Sequence, residues 1–173
     1  MSRLAAISLG ANLPSPTGAP EETIRAAMVD LTGSGTVLAR SSLYRTEPVG
    51  YADQPAFINA AATLETTLDP EALLAALLAI ERRYGRDRSS EMRNHPRTLD
   101  LDLLLVGDLV VHSPRLTLPH PELAERRFVL APLAEIAPDL RSPGSHATIA
   151  QLLAALPSEG ANRIDAVRKI YSP

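Results

Sequence analysis

Asp69-Pro70-Glu71-Ala72-Leu73-Leu74-Ala75-Ala76-Leu77-Leu78-Ala79-Ile80-Glu81-Arg82-Arg83-Tyr84-Gly85 carries both ends of a helix and its buried stripe, and the flanking segments fall into order around it. Asp69 is a capping carboxylate, Pro70 suits the first helical position, and Glu71 places an acid where the helix dipole favours one. Leu73, Leu74, Leu77, Leu78 and Glu81 follow at one-turn spacing until Gly85 stops the helix. Upstream, Phe57 to Thr67 reads as a strand, joined through the loop Glu47 to Pro55 to a neighbour over Thr36 to Thr46. Before these, Glu21 and Glu22 open a helix with Ile24, Met28 and Leu31 at helical spacing, ended by Gly33, and Leu4 to Leu9 is a short buried strand stopped by Gly10. Downstream, an arginine-rich loop leads to a strand over Thr98 to Val106, a turn at Gly107-Asp108 and a short return strand over Leu109 to Val111. A loop around Pro119-His120-Pro121, a helix over Glu122 to Ile136 broken at Pro132, and an amphipathic helix over Thr148 to Leu156 complete the reading.

Strand, helix, strand, strand, helix, strand is the order of a split βαβ unit. The expected class is α+β: a ferredoxin-like antiparallel sheet with helices on both faces and extra C-terminal helices, in a single domain over residues 1–173. A chain of this length buries roughly 70% of the surface its unfolded form exposes. The absence of cysteine excludes a disulfide scaffold, a thiolate zinc site, an iron–sulfur cluster and thiol catalysis. The longest apolar run, Ala72 to Ile80, is nine residues and too short to cross a bilayer, and Leu4 to Leu9 is too short for a signal-peptide core. A cytoplasmic protein with no membrane partner, and a monomer, is expected. The net charge of −3 gives no general attraction to nucleic acid. Sixteen arginines and a single lysine, Lys169, supply the positive charge, and six of those arginines lie between Arg82 and Arg97 against only Asp87 and Glu91.

The chemistry concentrates in Arg97-Thr98-Leu99-Asp100-Leu101-Asp102-Leu103. Strand side chains alternate faces, so Asp100 and Asp102 point one way, with Cα atoms roughly 6 to 7 Å apart, while the leucines enter a core. Paired carboxylates repel unless a cation lies between them, and oxygen-only ligation is what hard Mg²⁺ prefers. The wet face of an amphipathic strand shows the same alternation. Asp, however, is a poor strand former, and a basic loop stands immediately upstream. Arg86, Arg88, Arg93 and Arg97 in that loop carry guanidinium forks that grip phosphate oxygens bidentately. Singly each is ordinary solvated charge; together, beside an Asp-x-Asp strand, they point to a polyphosphate. Neither GxxxxGK[ST] nor GxGxxG is present, so a nucleotide is not held by a P-loop.

Other positions admit two readings. Gly10 and Asn12, after the first strand, either make a tight turn or let a ligand approach the backbone. Asn59 is an amide among apolar neighbours, needing main chain or a polar heterocycle as partner, and Phe57 on the same face either packs in the core or stacks on such a ring. His120, between two prolines, is either surface or functional, and the four histidines have no zinc spacing.

Five blocks carry a resemblance: Ser8-Leu9-Gly10-Ala11-Asn12-Leu13, Tyr44-Arg45-Thr46-Glu47-Pro48-Val49-Gly50, Gln54-Pro55-Ala56-Phe57-Ile58-Asn59-Ala60, Pro96-Arg97-Thr98-Leu99-Asp100-Leu101-Asp102, and Pro119-His120-Pro121 through Arg126-Arg127-Phe128-Val129-Leu130. In order and spacing they resemble the 6-hydroxymethyl-7,8-dihydropterin pyrophosphokinases of folate biosynthesis. The resemblance implies a ferredoxin-like enzyme that moves the terminal pyrophosphoryl unit of ATP to the pterin's hydroxymethyl oxygen and releases AMP, with ATP as co-substrate and two Mg²⁺ ions. It implies Asp100 and Asp102 as metal ligands, and Arg86, Arg88, Arg93 and Arg97 as arginines that hold ATP or close over it. His120 and Arg126 fall where ATP phosphates are contacted. The resemblance also implies that Thr46, Pro48, Val49, Phe57, Asn59 and Phe128 surround the pterin, with Gly10 contributing backbone. Arg86, Arg97, Asp100 and Asp102 form the expected catalytic set. The rivals are an RNA-binding module of the same topology, for which the chain lacks the aromatic RNP runs, and a nucleotidyltransferase, which would release pyrophosphate instead of AMP.

Overall fold

The computed structural model describes residues 1–48, 53–86, 96–159 and 166–171. Its main sheet comprises β1 (Arg3–Ala11), β2 (Thr36–Arg40), β3 (Leu43–Thr46), β4 (Phe57–Thr66), β5 (Asp100–Val106) and a C-terminal strand numbered β8 (Val167–Tyr171), all paired antiparallel. Two short strands, β6 (Val111–His112) and β7 (Thr117–Leu118), pair with each other outside it. The spatial order β5-β1-β4-β3-β8, with β2 also on β4, realises the split βαβ arrangement.

Helices α1 (Pro20–Asp30) and α2 (Pro70–Arg83) cover one face, packing Ile24, Met28, Leu73 and Leu77 over Ile7, Leu9, Ile58 and Leu101. Helices α3 (Arg127–Ile136) and α4 (Ile149–Ala155) cover the other through Leu130, Leu133 and Ile149, over Ala6, Ala61, Leu104 and Leu105. Cover on both faces explains why β1 is buried continuously from Ala5 to Ala11 instead of alternating. A register shift at Ala6/Ile7 marks a bulge against β5, and both Leu104 and Leu105 belong to the α3 cluster. The ends of α2 are as the sequence implies: Asp69 accepts the Ala72 N–H at 2.9 Å, and Gly85 adopts a φ of +83° where the chain leaves the helix.

Four expectations are corrected. The single strand over Thr36 to Thr46 is two, because Ser41 and Ser42 spend their hydroxyls on main chain and on Glu135 between β2 and β3. The return strand over Leu109 to Val111 does not form on β5: the Gly107 N–H turns back to the Leu4 carbonyl, the Leu104 carbonyl is taken by the His120 N–H, and β6 pairs with β7. The helix over Glu122 to Ile136 breaks at Arg126, where the backbone is extended, and runs through Pro132. Pro132 is the sixth of its ten residues, and the one ladder bond lost there is outweighed by the burial of Val129, Leu130 and Leu133. Finally, the tail holds β8 as well as the expected helix. Arg168 and Lys169, suited to an exposed edge, break up its apolar pattern.

Candidate active site

Three strands each place one residue in a row across the sheet: Asp100 on β5 opposes Gly10 on β1, and Gly10 opposes Asn59 on β4. Directly opposed residues share a face. Asp102 lies one row further along, opposite Ser8. Both aspartates are half-buried, whereas Leu99, Leu101 and Leu103 are buried in the cluster under α1 and α2. The pleat therefore puts the two carboxylates together on the α3 side, as the alternation implies.

Two guanidiniums grip the first of them. Arg86 Nη1 donates to Asp100 Oδ1 at 2.8 Å, and Arg97 Nη1 donates to Oδ2 at 2.6 Å. The Arg86 side chain is 7% exposed and that of Arg97 18%, so these charge-assisted bonds are largely shielded from solvent. Arg86 follows Gly85 at the end of α2, and its main-chain N–H bonds the Glu81 carbonyl. The two ends of the basic segment, Arg86 and Arg97, thus meet the aspartate strand at Asp100. Among the described residues no group of three or more His, Cys, Asp or Glu gathers for a metal. Two carboxylates alone suit a hard ion that keeps several waters and takes the rest of its oxygens from a substrate, which is the habit of Mg²⁺.

Beyond Gly10 the row becomes neutral. Asn59 is 4% exposed and its Nδ2 donates to Thr46 Oγ1 at 2.7 Å. A Cβ on Gly10 would stand 2.9 Å from Asn59 Oδ1, so the glycine is what leaves the amide room beside the β1 backbone. Thr46 opposes Phe57, and the Arg97 guanidinium carbon lies 5.4 Å from the Phe57 ring centroid. Pro48 follows two residues after Thr46. A flat, polar-edged ring would find here one aromatic face and a fixed amide.

On the α3 side, His120 donates its main-chain N–H to the Leu104 carbonyl on β5, and its ring Nδ1 accepts the Glu122 main-chain N–H at 3.2 Å. Burial pushes the imidazole pKa down, and Arg126 adds to the effect, against the opposing charges of Glu122 and Asp100. A neutral ring with Nδ1 accepting carries its proton on Nε2. Arg126 pairs with Glu122 and lies 5.5 Å from the Phe128 ring centroid, repeating the arginine-on-phenylalanine pairing of Arg97 and Phe57. No hydrogen bond or ion pair among those described joins Arg126 or Phe128 to the Asp100 row; Phe128 packs against the cluster under α3, on the face of the sheet that the row occupies. Val49, Arg88 and Arg93 lie outside the described residues.

Two residues play larger parts than their sequence context announced. Asn12, 2% exposed, fastens three loops: Nδ2 donates to Gln54 Oε1 and the Pro55 carbonyl, each at 3.0 Å, and Oδ1 accepts the Arg97 N–H at 2.8 Å. Its role is to hold the loops before Phe57 and Asp100 together, and an amide directly after a buried strand was the only clue. Glu81, 1% exposed, accepts the Leu101 N–H at 2.8 Å. Its signal was a carboxylate standing in an otherwise apolar helical stripe.

Comparison with known proteins agrees with the resemblance. The family model for 7,8-dihydro-6-hydroxymethylpterin-pyrophosphokinase matches residues 6–138. The 2-amino-4-hydroxy-6-hydroxymethyldihydropteridine pyrophosphokinase of Pseudomonas aeruginosa is 47% identical over 161 residues, covering 91% of this chain and 94% of that protein. Its counterpart in Synechocystis is 44% identical over 151 residues, 86% of this chain and 74% of the other. Among solved structures, Plasmodium falciparum HPPK-DHPS with pteroate superposes with a TM-score of 0.73 at 15% identity, over 99% of this chain and 46% of that one. That likeness concerns the fold, and the chain spans a little under half of the solved protein's length.

Proposed function

The chain belongs to the 7,8-dihydro-6-hydroxymethylpterin-pyrophosphokinase family, and from that premise we propose that it transfers the pyrophosphoryl group of ATP to the hydroxymethyl oxygen of 6-hydroxymethyl-7,8-dihydropterin, giving AMP and the pterin diphosphate. The observation that carries this reading is the row Asp100, Gly10, Asn59 across three strands, with Asp102 beside it on the same face. It sets an anionic, metal-suited end next to a neutral, ring-suited end at the distance of neighbouring strands, about 5 Å each.

In the reaction the hydroxymethyl oxygen forms a bond to the β-phosphorus while the bond from that phosphorus to the oxygen bridging the α-phosphate breaks, and AMP departs with that electron pair. Little covalent work falls to the protein; positioning and charge stabilisation dominate such transfers. Asn59, fixed by Thr46, reads the polar edge of the pterin, Phe57 and Phe128 take its faces, and Thr46, Pro48, Val49 and the Gly10 backbone close its surroundings. Arg86 and Arg97 meet the triphosphate oxygens, their own hold on Asp100 keeping their forks aimed at the site, and Arg88 and Arg93 join them there. His120 donates to a phosphate from Nε2 as a neutral imidazole, and Arg126 adds a cation on the α3 side. Asp100 and Asp102 would hold two Mg²⁺ ions, which neutralise triphosphate charge and ease deprotonation of the alcohol when bound. Asp102 is the side chain to which we assign the hydroxyl proton. No helix among the described residues is long and apolar enough to cross a membrane, and we place the enzyme in the cytoplasm as a monomer acting on small molecules.

Incubation with ATP, Mg²⁺ and the hydroxymethyl-dihydropterin, followed by chromatography of the nucleotide, tests the reading. AMP formed one-for-one with pterin diphosphate supports it; release of pyrophosphate would assign a nucleotidyl transfer instead.

A further inference from the structure

We propose that Glu81 is a positioning residue for the two aspartates, fixing the strand they share from the open side of the sheet. Among the described residues β5 is an edge strand, with β1 on one side and no strand of the main sheet on the other. An edge leaves alternate N–H and carbonyl groups without a ladder partner. Two such groups bracket Asp100. The Leu99 carbonyl accepts from Arg86 Nη1 at 2.9 Å, and the Leu101 N–H donates to Glu81 Oε1 at 2.8 Å. The two capping residues are themselves joined, the Arg86 N–H bonding the Glu81 carbonyl at 3.1 Å. The last turn of α2 therefore does for β5 what a neighbouring strand does inside a sheet.

The Leu101 N–H belongs to the peptide unit that joins Asp100 to Leu101, so its anchoring fixes the strand at the point between the two carboxylates. Helix packing alone gives no reason for an acid here. Leu73, Leu77 and Ile80 bury an apolar stripe that a leucine at position 81 would continue, and a carboxylate at 1% exposure must be compensated. What the acid supplies and leucine does not is an acceptor for the Leu101 N–H. The consequence is functional: two carboxylates serve one site only if their Cα–Cβ directions are held together, and loss of a supporting contact of this kind weakens metal sites about 10- to 100-fold.

This inference rests on the reading of Asp100 and Asp102 as the metal-binding pair, and the test separates the two. The Mg²⁺ concentration giving half-maximal turnover is measured at saturating ATP and pterin for the wild type, Glu81→Leu, Glu81→Asp, Glu81→Gln and Asp102→Asn, alongside the pterin dissociation constant by calorimetry. Glu81→Leu is expected to raise the Mg²⁺ requirement about 10- to 100-fold with pterin affinity within twofold. Glu81→Gln, which keeps the acceptor, is expected to recover most of the loss. Should Glu81→Leu fail to fold, Glu81→Asp keeps the charge but not the reach, and a Mg²⁺ requirement raised about tenfold is expected of it. A folded Glu81→Leu or Glu81→Asp with the wild-type Mg²⁺ requirement overturns the positioning role while Asp102→Asn still raises it. An unchanged requirement in Asp102→Asn instead removes the metal reading, and the inference with it.

Discussion

At β5 the sheet is fastened by Glu81 of α2, and at β3 and β8 by Glu135 of α3, yet the two glutamates hold different things. Glu81 is buried and takes a main-chain N–H in the middle of the aspartate strand. Glu135, with its side chain 24% exposed, gathers side chains: the Ser42 hydroxyl and the Tyr44 hydroxyl, each at 2.7 Å, and Lys169 Nζ at 3.1 Å, besides the Ser42 N–H. Burial by itself would raise the Glu135 pKa, but the hydrogen bonds from Ser42, Tyr44 and Lys169 outweigh it and hold the carboxyl below its usual range. The Tyr44 hydroxyl is raised in turn, by burial first and then by Glu135. One edge is built to aim chemistry, the other to keep the C-terminal strand on the sheet.

Substitutions should separate those two purposes. The largest effect is expected from Asp102→Ala, which should fold normally and lose turnover about 10³-fold, since charge stabilisation by a metal site is worth several kcal/mol. Pterin binding by calorimetry should persist, and near-wild-type turnover would dissolve the contrast between the edges. Gly10→Ala tests the middle of the row. Its methyl would press on Asn59 Oδ1 and strain the amide's bond to Thr46, so the KM for pterin should rise about tenfold, the worth of one well-made hydrogen bond. A KM that does not move would mean that Asn59 is not the reader of the ring.

The smallest effect belongs to the far edge. Glu135→Ala should lower stability by about 2 kcal/mol, seen as a Tm drop of roughly 4 to 8 °C, with kcat within twofold of the wild type. Because the folded carboxyl has the lower pKa, its contribution is present above the ordinary carboxylate value and is lost as pH falls through the folded one. The Tm gap should therefore be full above about pH 5 and shrink below about pH 4. A gap that widened on acidification would contradict the network.

Much of the site was legible because its signals are local. Alternation in Leu99-Asp100-Leu101-Asp102-Leu103 is enough to put two carboxylates on one face, and Asp69-Pro70 with Gly85 is enough to bound α2, since pleat and capping are properties of a few successive residues. The density of arginine from Arg82 to Arg97 likewise survives any folding. What pairing decides could not be read so. That Gly10 stands between Asp100 and Asn59, that Asn12 ties residues 54, 55 and 97 together, and that Glu81 and Glu135 fasten opposite edges all depend on register between strands far apart in the chain. The split at Ser41-Ser42 and the strand at Val167–Tyr171 belong to the same class, because two serines and the charged pair Arg168-Lys169 interrupt the local pattern and pairing with β4 and β3, with the hold of Glu135, selects the conformation.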